Sequence, residues 1–428
     1  MNQQALLSAF GGCALAAMLA TPAVLTAQTY ATGDTRSVSQ PSTPATCQTL
    51  TAQFTSAKVD VSSPTTSDDT TRIQDALNSC AGSGKAVVLA SSGSNNAFLS
   101  GRLTFGSSES LVVNSGVTLY GNNSYNSQSE LIDIPASNTG IYGPGTIDGR
   151  ANVYSFSSTP RLVQTNSASN FIAYNITLQN AAHPNLYIQG GSGATVWSVT
   201  INTSPSTKNA DGLDIDSITN VTVNNSNITA GDDGIAIKTN ASPARNITVE
   251  NTNVYGTHGL SIGSQTFDGV TNVLFKNNYV YGKSSSGTAS TDANAINIKT
   301  DVDCGGLVNQ VTYENTCIRY AKHLIVVTGN YGSCSGTKGT PQFENIVVNG
   351  VLSENSVSGA YEEFQGYSSS YRASVYLANV KLDSNTQNGD EYANMYLDNV
   401  NGLNPSGTDV TDYSWNASGA VPNCSFKF

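Results

Sequence analysis

Charge is scarce in this chain: 11% of its 428 residues are Asp, Glu, Lys or Arg, with 30 acidic against 19 basic. A net charge of −11 excludes the broad basic surface that grips nucleic acid through its phosphates. An anionic polymer would have to be met by a few local cations. Cys-x-x-Cys pairs and histidine clusters are both missing. His183, His258 and His323 lie too far apart for a dedicated ligand set, so neither a metal nor a cofactor is expected. The fixed leucine framework of leucine-rich repeats is absent too, as is any long helical pattern.

What is plentiful is Gly, at 39 residues, together with Asn, Ser and Thr. Polarity without charge is also a mark of disorder, but regular Val and Ile spacing opposes that reading. Asn220-Val221-Thr222-Val223, Asn246-Ile247-Thr248-Val249 and Asn272-Val273-Leu274-Phe275 begin 26 residues apart. Asn253-Val254-Tyr255-Gly256 and Tyr279-Val280-Tyr281-Gly282 keep the same step. Short β-branched runs at a period in the twenties specify a solenoid. The expected fold is all-β: a right-handed parallel β-helix over residues 46–428, rising about 4.7–4.9 Å per coil. Asn, Ser and Thr stacked at its turns would hydrogen-bond along the axis in place of surface charge.

Residues 1–27 carry no charged side chain and are mostly apolar or small from Ala5 to Ala20. They read as a secretory signal peptide, since the run is short for a membrane span. The mature protein is therefore expected outside the cell, as a monomer without membrane contact. Residues 28–45, rich in Ser, Thr and Pro, form an extended entry segment. Ile73, Ala76, Leu77 and Cys80 then recur at helical spacing behind an Asp/Thr N-cap. One short amphipathic helix there would cap the first coil, whose open edge otherwise invites pairing. Six cysteines remain beyond the leader, allowing fifteen connectivities; Cys47–Cys80 is the preferred pair, stapling the cap. The tail over residues 408–428 would cover the last coil.

The chemistry concentrates in residues 209–299. Gly212-Leu213-Asp214-Ile215, Gly234-Ile235-Ala236-Ile237, Gly259-Leu260-Ser261-Ile262 and Ala295-Ile296-Asn297-Ile298 align, and Asp211, Asp233, His258 and Asn294 immediately precede them. In a coiled chain these four stack one per turn. Strand starts differ by 26 residues but the Gly-Ile and Gly-Leu runs by only 25, so one extra residue enters the Asp232-Asp233 turn. Three neighbouring carboxylates cannot all ionise easily, so at least one should hold its proton. A protonated acid beside an ionised base suits glycosidic hydrolysis. Clustered Asp also suits calcium, and Asp-Gly is common at tight corners. Lys238 and Lys299 end equivalent runs, while Gly263 between them leaves a notch. Residues 283–293, rich in Ser and Thr, border the same side.

Asn209-Ala210-Asp211-Gly212, Gly231-Asp232-Asp233-Gly234, Gly256-Thr257-His258-Gly259 and Asn297-Ile298-Lys299 resemble, in order, the four motifs of the polygalacturonases, glycoside hydrolase family 28. Gly143-Pro144-Gly145-Thr146-Ile147-Asp148-Gly149 adds to the likeness, which runs from about Cys47 to the C-terminus and is strongest to secreted bacterial members. The resemblance implies inverting cleavage of α-1,4-linked galacturonan in pectin. It implies Asp232 as general acid, Asp211 and Asp233 as holders of the attacking water, and His258 as the partner of the acid. Lys299 would grip a uronate carboxylate, Asn209 would orient Asp211 or a sugar hydroxyl, and Tyr331 would contact substrate.

One departure stands out. The family's usual Arg is here Asn297, which cannot clamp a carboxylate bidentately. Losing such a contact costs about 1.5–3 kcal/mol, or about ten- to a hundredfold. The pocket could instead take a substituted galacturonan, such as xylogalacturonan or rhamnogalacturonan, or the solenoid could bind pectin without cleaving it. A pectate lyase, which shares the β-helix but needs calcium, ranks behind these.

Overall fold

The computed structural model describes residues 28–426 apart from 64–66, 291 and 336–338. The leader expected at 1–27 lies outside the described residues. Short strands stack coil upon coil into a parallel β-helix with three faces. The first face includes Arg161–Asn166, Leu186–Gln189, Leu213–Asp216, Ile235–Lys238, Leu260–Ile262 and Asn294–Lys299. It continues through His323–Thr328 and Tyr361–Gln365. Strands such as Thr219–Asn224 and Ala244–Glu250 form the second face, and Asn227–Thr229 and Asn253–Tyr255 the third.

The spacing in the sequence is the register of the sheet. Val221 pairs with Ile247 and Ile247 with Val273, which buries one β-branched column with no exposed area. Asn227 pairs with Asn253, yet Ile235 pairs with Leu260. The extra residue therefore sits in the turn between the third and first faces, at Asp232-Asp233. At the corner entering the second face, Asn246 donates to Asn220 at 3.1 Å and Asn272 to Asn246 at 2.9 Å. Their φ angles of 56–60° are left-handed values that Asn tolerates better than other side chains.

The helix spans Thr70–Cys80, and Ile73, Ala76, Leu77 and Cys80 are its buried residues. It packs on the strands Thr46–Thr51, Lys85–Ala90 and Glu109–Val113 at the N-terminal end. The Asp/Thr cap differs from expectation: the Asp69 side chain does not cap the helix. Its carboxylate takes Arg72 and the Leu99 amide instead, so it ties the helix to the next coil. Cys47–Cys80, Cys304–Cys334 and Cys317–Cys424 are bridged. Replacing Cys47 and Cys80 by Ser should lower the unfolding free energy by about 2–4 kcal/mol, read as a lower urea midpoint under oxidising conditions. An unchanged midpoint would show that the helix needs no staple.

Both chain ends lie along the outside of the coils. Residues 28–40 run across the second face as a strap. Ala31 donates to Thr312, Thr32 and Gly33 to Asn272, and Asp34 to Thr248. The Asp34 carboxylate accepts from Thr222, Arg36 donates to the Ala194 carbonyl, and Gln40 reaches Tyr174. The tail covers more than the last coil. Thr408–Ser414 pairs with Glu391–Asn401, and the chain then turns back, so that Ser418 accepts from Asn349 and Phe426 packs edge-on against Tyr279. The Cys317–Cys424 bridge fixes that return path, which the position of Cys424 alone did not reveal.

Candidate active site

The turns entering the first face are stacked by their own backbones. The Gly212 amide donates to the Asp233 carbonyl at 2.9 Å, and the His258 amide to the Asp232 carbonyl at 2.8 Å. Asp211, Asp232 and Asp233 are thereby brought to one groove on successive coils, and His258, which is not among the cleft-lining side chains, reaches it through Asp232. The cleft of about 330 Å³ is lined by Asn209, Asp211, Asp232, Asp233, Lys299 and Tyr331, among others. That volume is at the small end of the range for ligand pockets. A larger groove, about 780 Å³, lies between the strap and the tail beside Tyr30 and Ser418; no pair of carboxylates faces it. Gly263 lines the cleft where two coils approach closely, for a Cβ there would stand 1.7 Å from the Lys299 carbonyl oxygen.

Each acid has a different partner. Asp232, the most exposed of them, accepts from His258 Nδ1 at 2.9 Å. Asp233 is buried, with Lys299 Nζ 3.1 Å from each of its oxygens and Ser261 Oγ donating at 2.7 Å. Asp211 meets Lys238 at 2.8 Å, and the same ammonium lies 2.9 Å from Asp214. Asn297 is 3% exposed and donates to Ser261 Oγ at 3.3 Å. It thus stands behind Asp233, through Ser261, and is not among the cleft-lining side chains. Asn209 is exposed on the cleft wall; among the described residues its side chain makes no hydrogen bond to Asp211. Tyr331 projects with 56% exposure, its ring centroid 5.0 Å from Lys299 Nζ.

These partners set the protonation. Burial pushes the Asp233 carboxyl up despite Lys299, with Asp211 and Asp232 adding to the rise. Burial and the neighbouring Asp211 likewise hold Asp214 well above the usual range. Burial also raises Asp232, but the hydrogen bond and charge of His258, with Lys299, outweigh it and leave that carboxyl low. Burial would lower His258, yet the bond to Asp232 and the charge of Asp233 raise it. The shared proton of the Asp232–His258 pair therefore rests on the imidazole in the free protein. Ligand atoms of Asp232, Asp233 and His258 lie within 4.8 Å of one another. A hard cation wants six to eight oxygens, and here one carboxylate already has an ammonium against both of its own. The donor set fits calcium poorly.

The sequence pattern of Glycosyl hydrolases family 28 matches residues 83–401. The chain belongs to that family. An endo-polygalacturonase of Pectobacterium carotovorum subsp. carotovorum is 33% identical over 396 residues, covering 82% of this chain and 90% of the relative. A polygalacturonase of Ralstonia solanacearum is 30% identical, covering 81% and 78%. The solved polygalacturonase from Erwinia carotovora ssp. carotovora superposes with a TM-score of 0.67 at 30% identity, covering 90% of this chain and 99% of that one. This family member is thus a glycosyl hydrolase on a parallel β-helix.

Among the cleft side chains that sequence reasoning missed are Arg161, His183, Tyr187 and Asp214. Asp214 was visible as the register partner of Tyr187 and Ala236, inside a run read only as strand. Arg161 and His183 come from coils whose repeat is weak, and nothing in their local sequence marks them.

Proposed function

We propose that this protein is exported and hydrolyses the α-1,4-galacturonosyl linkages of polygalacturonate by inversion. The observation that carries the reading is the pairing of three carboxylates in one cleft with three different partners: imidazole, ammonium plus hydroxyl, and a shared ammonium. Asp232 is the general acid. A sugar chain closing the cleft removes water from around it, which favours its neutral form and lets it protonate the leaving oxygen. Asp211 and Asp233 hold and deprotonate the water on the opposite side of the ring. His258 sets the protonation of the acid, Lys299 and Tyr331 face the sugar, and exposed Asn209 is free for a hydroxyl. The pectic chain is the partner, met by a monomer.

Pectins of graded esterification provide the test. Reducing ends should form without unsaturated, ultraviolet-absorbing products, and the first reducing end should be the β anomer. Unsaturated products would make the protein a lyase; a bound but uncleaved chain would make it a binding solenoid. Export is checked by the N-terminus of the protein in the medium, expected after residue 27, and a retained Met1 contradicts it.

The Asp232–His258 bond gives a pH prediction. The pair gives up its shared proton at the raised position of the imidazole, whereas in His258→Asn only the carboxyl remains to hold it. The falling, alkaline limb of kcat/KM should therefore move downward in pH, while the maximum drops by about 10²-fold, the lower range for proton-transfer groups. A limb that stays in place would show that His258 does not govern the acid.

A further inference from the structure

The cleft continues past the carboxylates toward the N-terminal coils, where Arg161 forms its wall. Its guanidinium lies over Tyr187, 4.0 Å from the ring centroid. One terminal nitrogen donates to Gln164 Oε1 at 2.7 Å, and Nε is buried without a hydrogen-bond partner among the described residues. The strand of Arg161 pairs with that of Tyr187, and Tyr187 with Asp214, so Arg161 stands two coils, or about 10 Å, from the coil that carries Asp211.

The three cations lining the cleft are not equivalent. Lys238 is held by Asp211 and Asp214, and Lys299 by Asp233. Arg161 has no carboxylate within 4.0 Å among the described residues. The nearest acid in register, Glu130, belongs to Arg102 at 2.7 Å. The charge of Arg161 does reach the cleft floor, where burial first and this guanidinium second hold His183 low. An arginine held over an aromatic ring, with a terminal nitrogen unused, is preorganised for a planar anion. The acid-rich cleft needs such a group, because a uronate would otherwise meet Asp211 and Asp214.

We propose that Arg161 receives the carboxylate of the uronosyl residue lying toward the N-terminal coils from the scissile linkage, and so selects unesterified galacturonate there. This rests on the hydrolase reading above. It assigns the missing bidentate contact to a strand far from Asn297, which is turned to Ser261.

The test compares the unaltered protein with Arg161→Met and Arg161→Lys on pectins of rising methyl esterification, with KM and kcat measured separately. Arg161→Met should lose about ten- to a hundredfold in kcat/KM on polygalacturonate, chiefly through KM, as expected for one charge-assisted contact. The loss should shrink steadily as esterification rises, and Arg161→Lys should recover part of it. A loss of equal size at every degree of esterification would mean that Arg161 only supports Tyr187, and would overturn the proposal, as would an unchanged KM. If the unaltered protein releases no reducing ends from any pectin, both this proposal and the hydrolase reading fall. If it does release them and the dependence on esterification is unchanged in Arg161→Met, only Arg161 loses its role.

Discussion

Asp232→Asn leaves the fold intact and lowers the release of reducing ends from polygalacturonate by about 10²–10⁴-fold, the range for loss of a positioned acid. The amide has the shape of the carboxyl and its oxygen can still accept from His258 at the 2.9 Å seen here. What it lacks is a proton to give. KM should therefore change little while kcat falls. Asp233→Asn should look different: its carboxyl is buried against Lys299 and Ser261, so the amide strands an ammonium in a closed pocket. Stability as well as rate should suffer there. A loss below tenfold in Asp232→Asn, with the urea midpoint unchanged, would move the acid role to another group.

The second large effect is on stability and involves no substrate. Glu362, 0% exposed, lies on the first-face strand Tyr361–Gln365, with the two-residue strand Thr386–Gln387 paired beyond it. Its register partner is Ile325, which pairs in turn with Ile296, so it points into the apolar column. Among the described residues no other residue hydrogen-bonds either carboxyl oxygen. Burial, eased by its own backbone amide and worsened by Asp390, pushes it up to about 8 from 4.5. The folded protein thus holds a proton that the unfolded chain releases. Stability from this group is full below about pH 4.5 and falls as pH rises toward 8. Glu362→Leu removes that dependence and fills the column. Its gain over the unaltered protein should be larger at pH 8.5 than at pH 5 by on the order of 3 kcal/mol, after discounting for residual solvent access. Urea midpoints at the two pH values check it; a gain independent of pH would mean that the carboxyl is solvated.

Glu362 also shows where sequence reading stops. Nothing in Tyr361-Glu362-Glu363-Phe364 marks which of the two adjacent acids turns inward. The coils between residues 209 and 299 were legible for the opposite reason. Their Val and Ile columns fix the register, register fixes which turn lies on which, and Asp211, Asp233 and His258 follow from that alone. The one-residue excess at Asp232-Asp233 survived as a difference between two pairings. The separate partners of the acids were not legible, since Lys238 reaching back to Asp211 and Ser261 reaching Asp233 depend on side-chain direction across coils. Arg161 was invisible because it precedes the regular repeat.

The strap along residues 28–40 bears on how the chain reaches its final shape. Its long-range partners lie between 134 and 319 positions further on, from Tyr174 to Asn349. The part of the polypeptide made first is therefore among the last to settle, since the coils it crosses must already be wound. Until then its Thr, Gly and Asp amides wait in water while Asn272, Thr248 and Thr222 stand open. Assembly of this β-helix would finish where synthesis began.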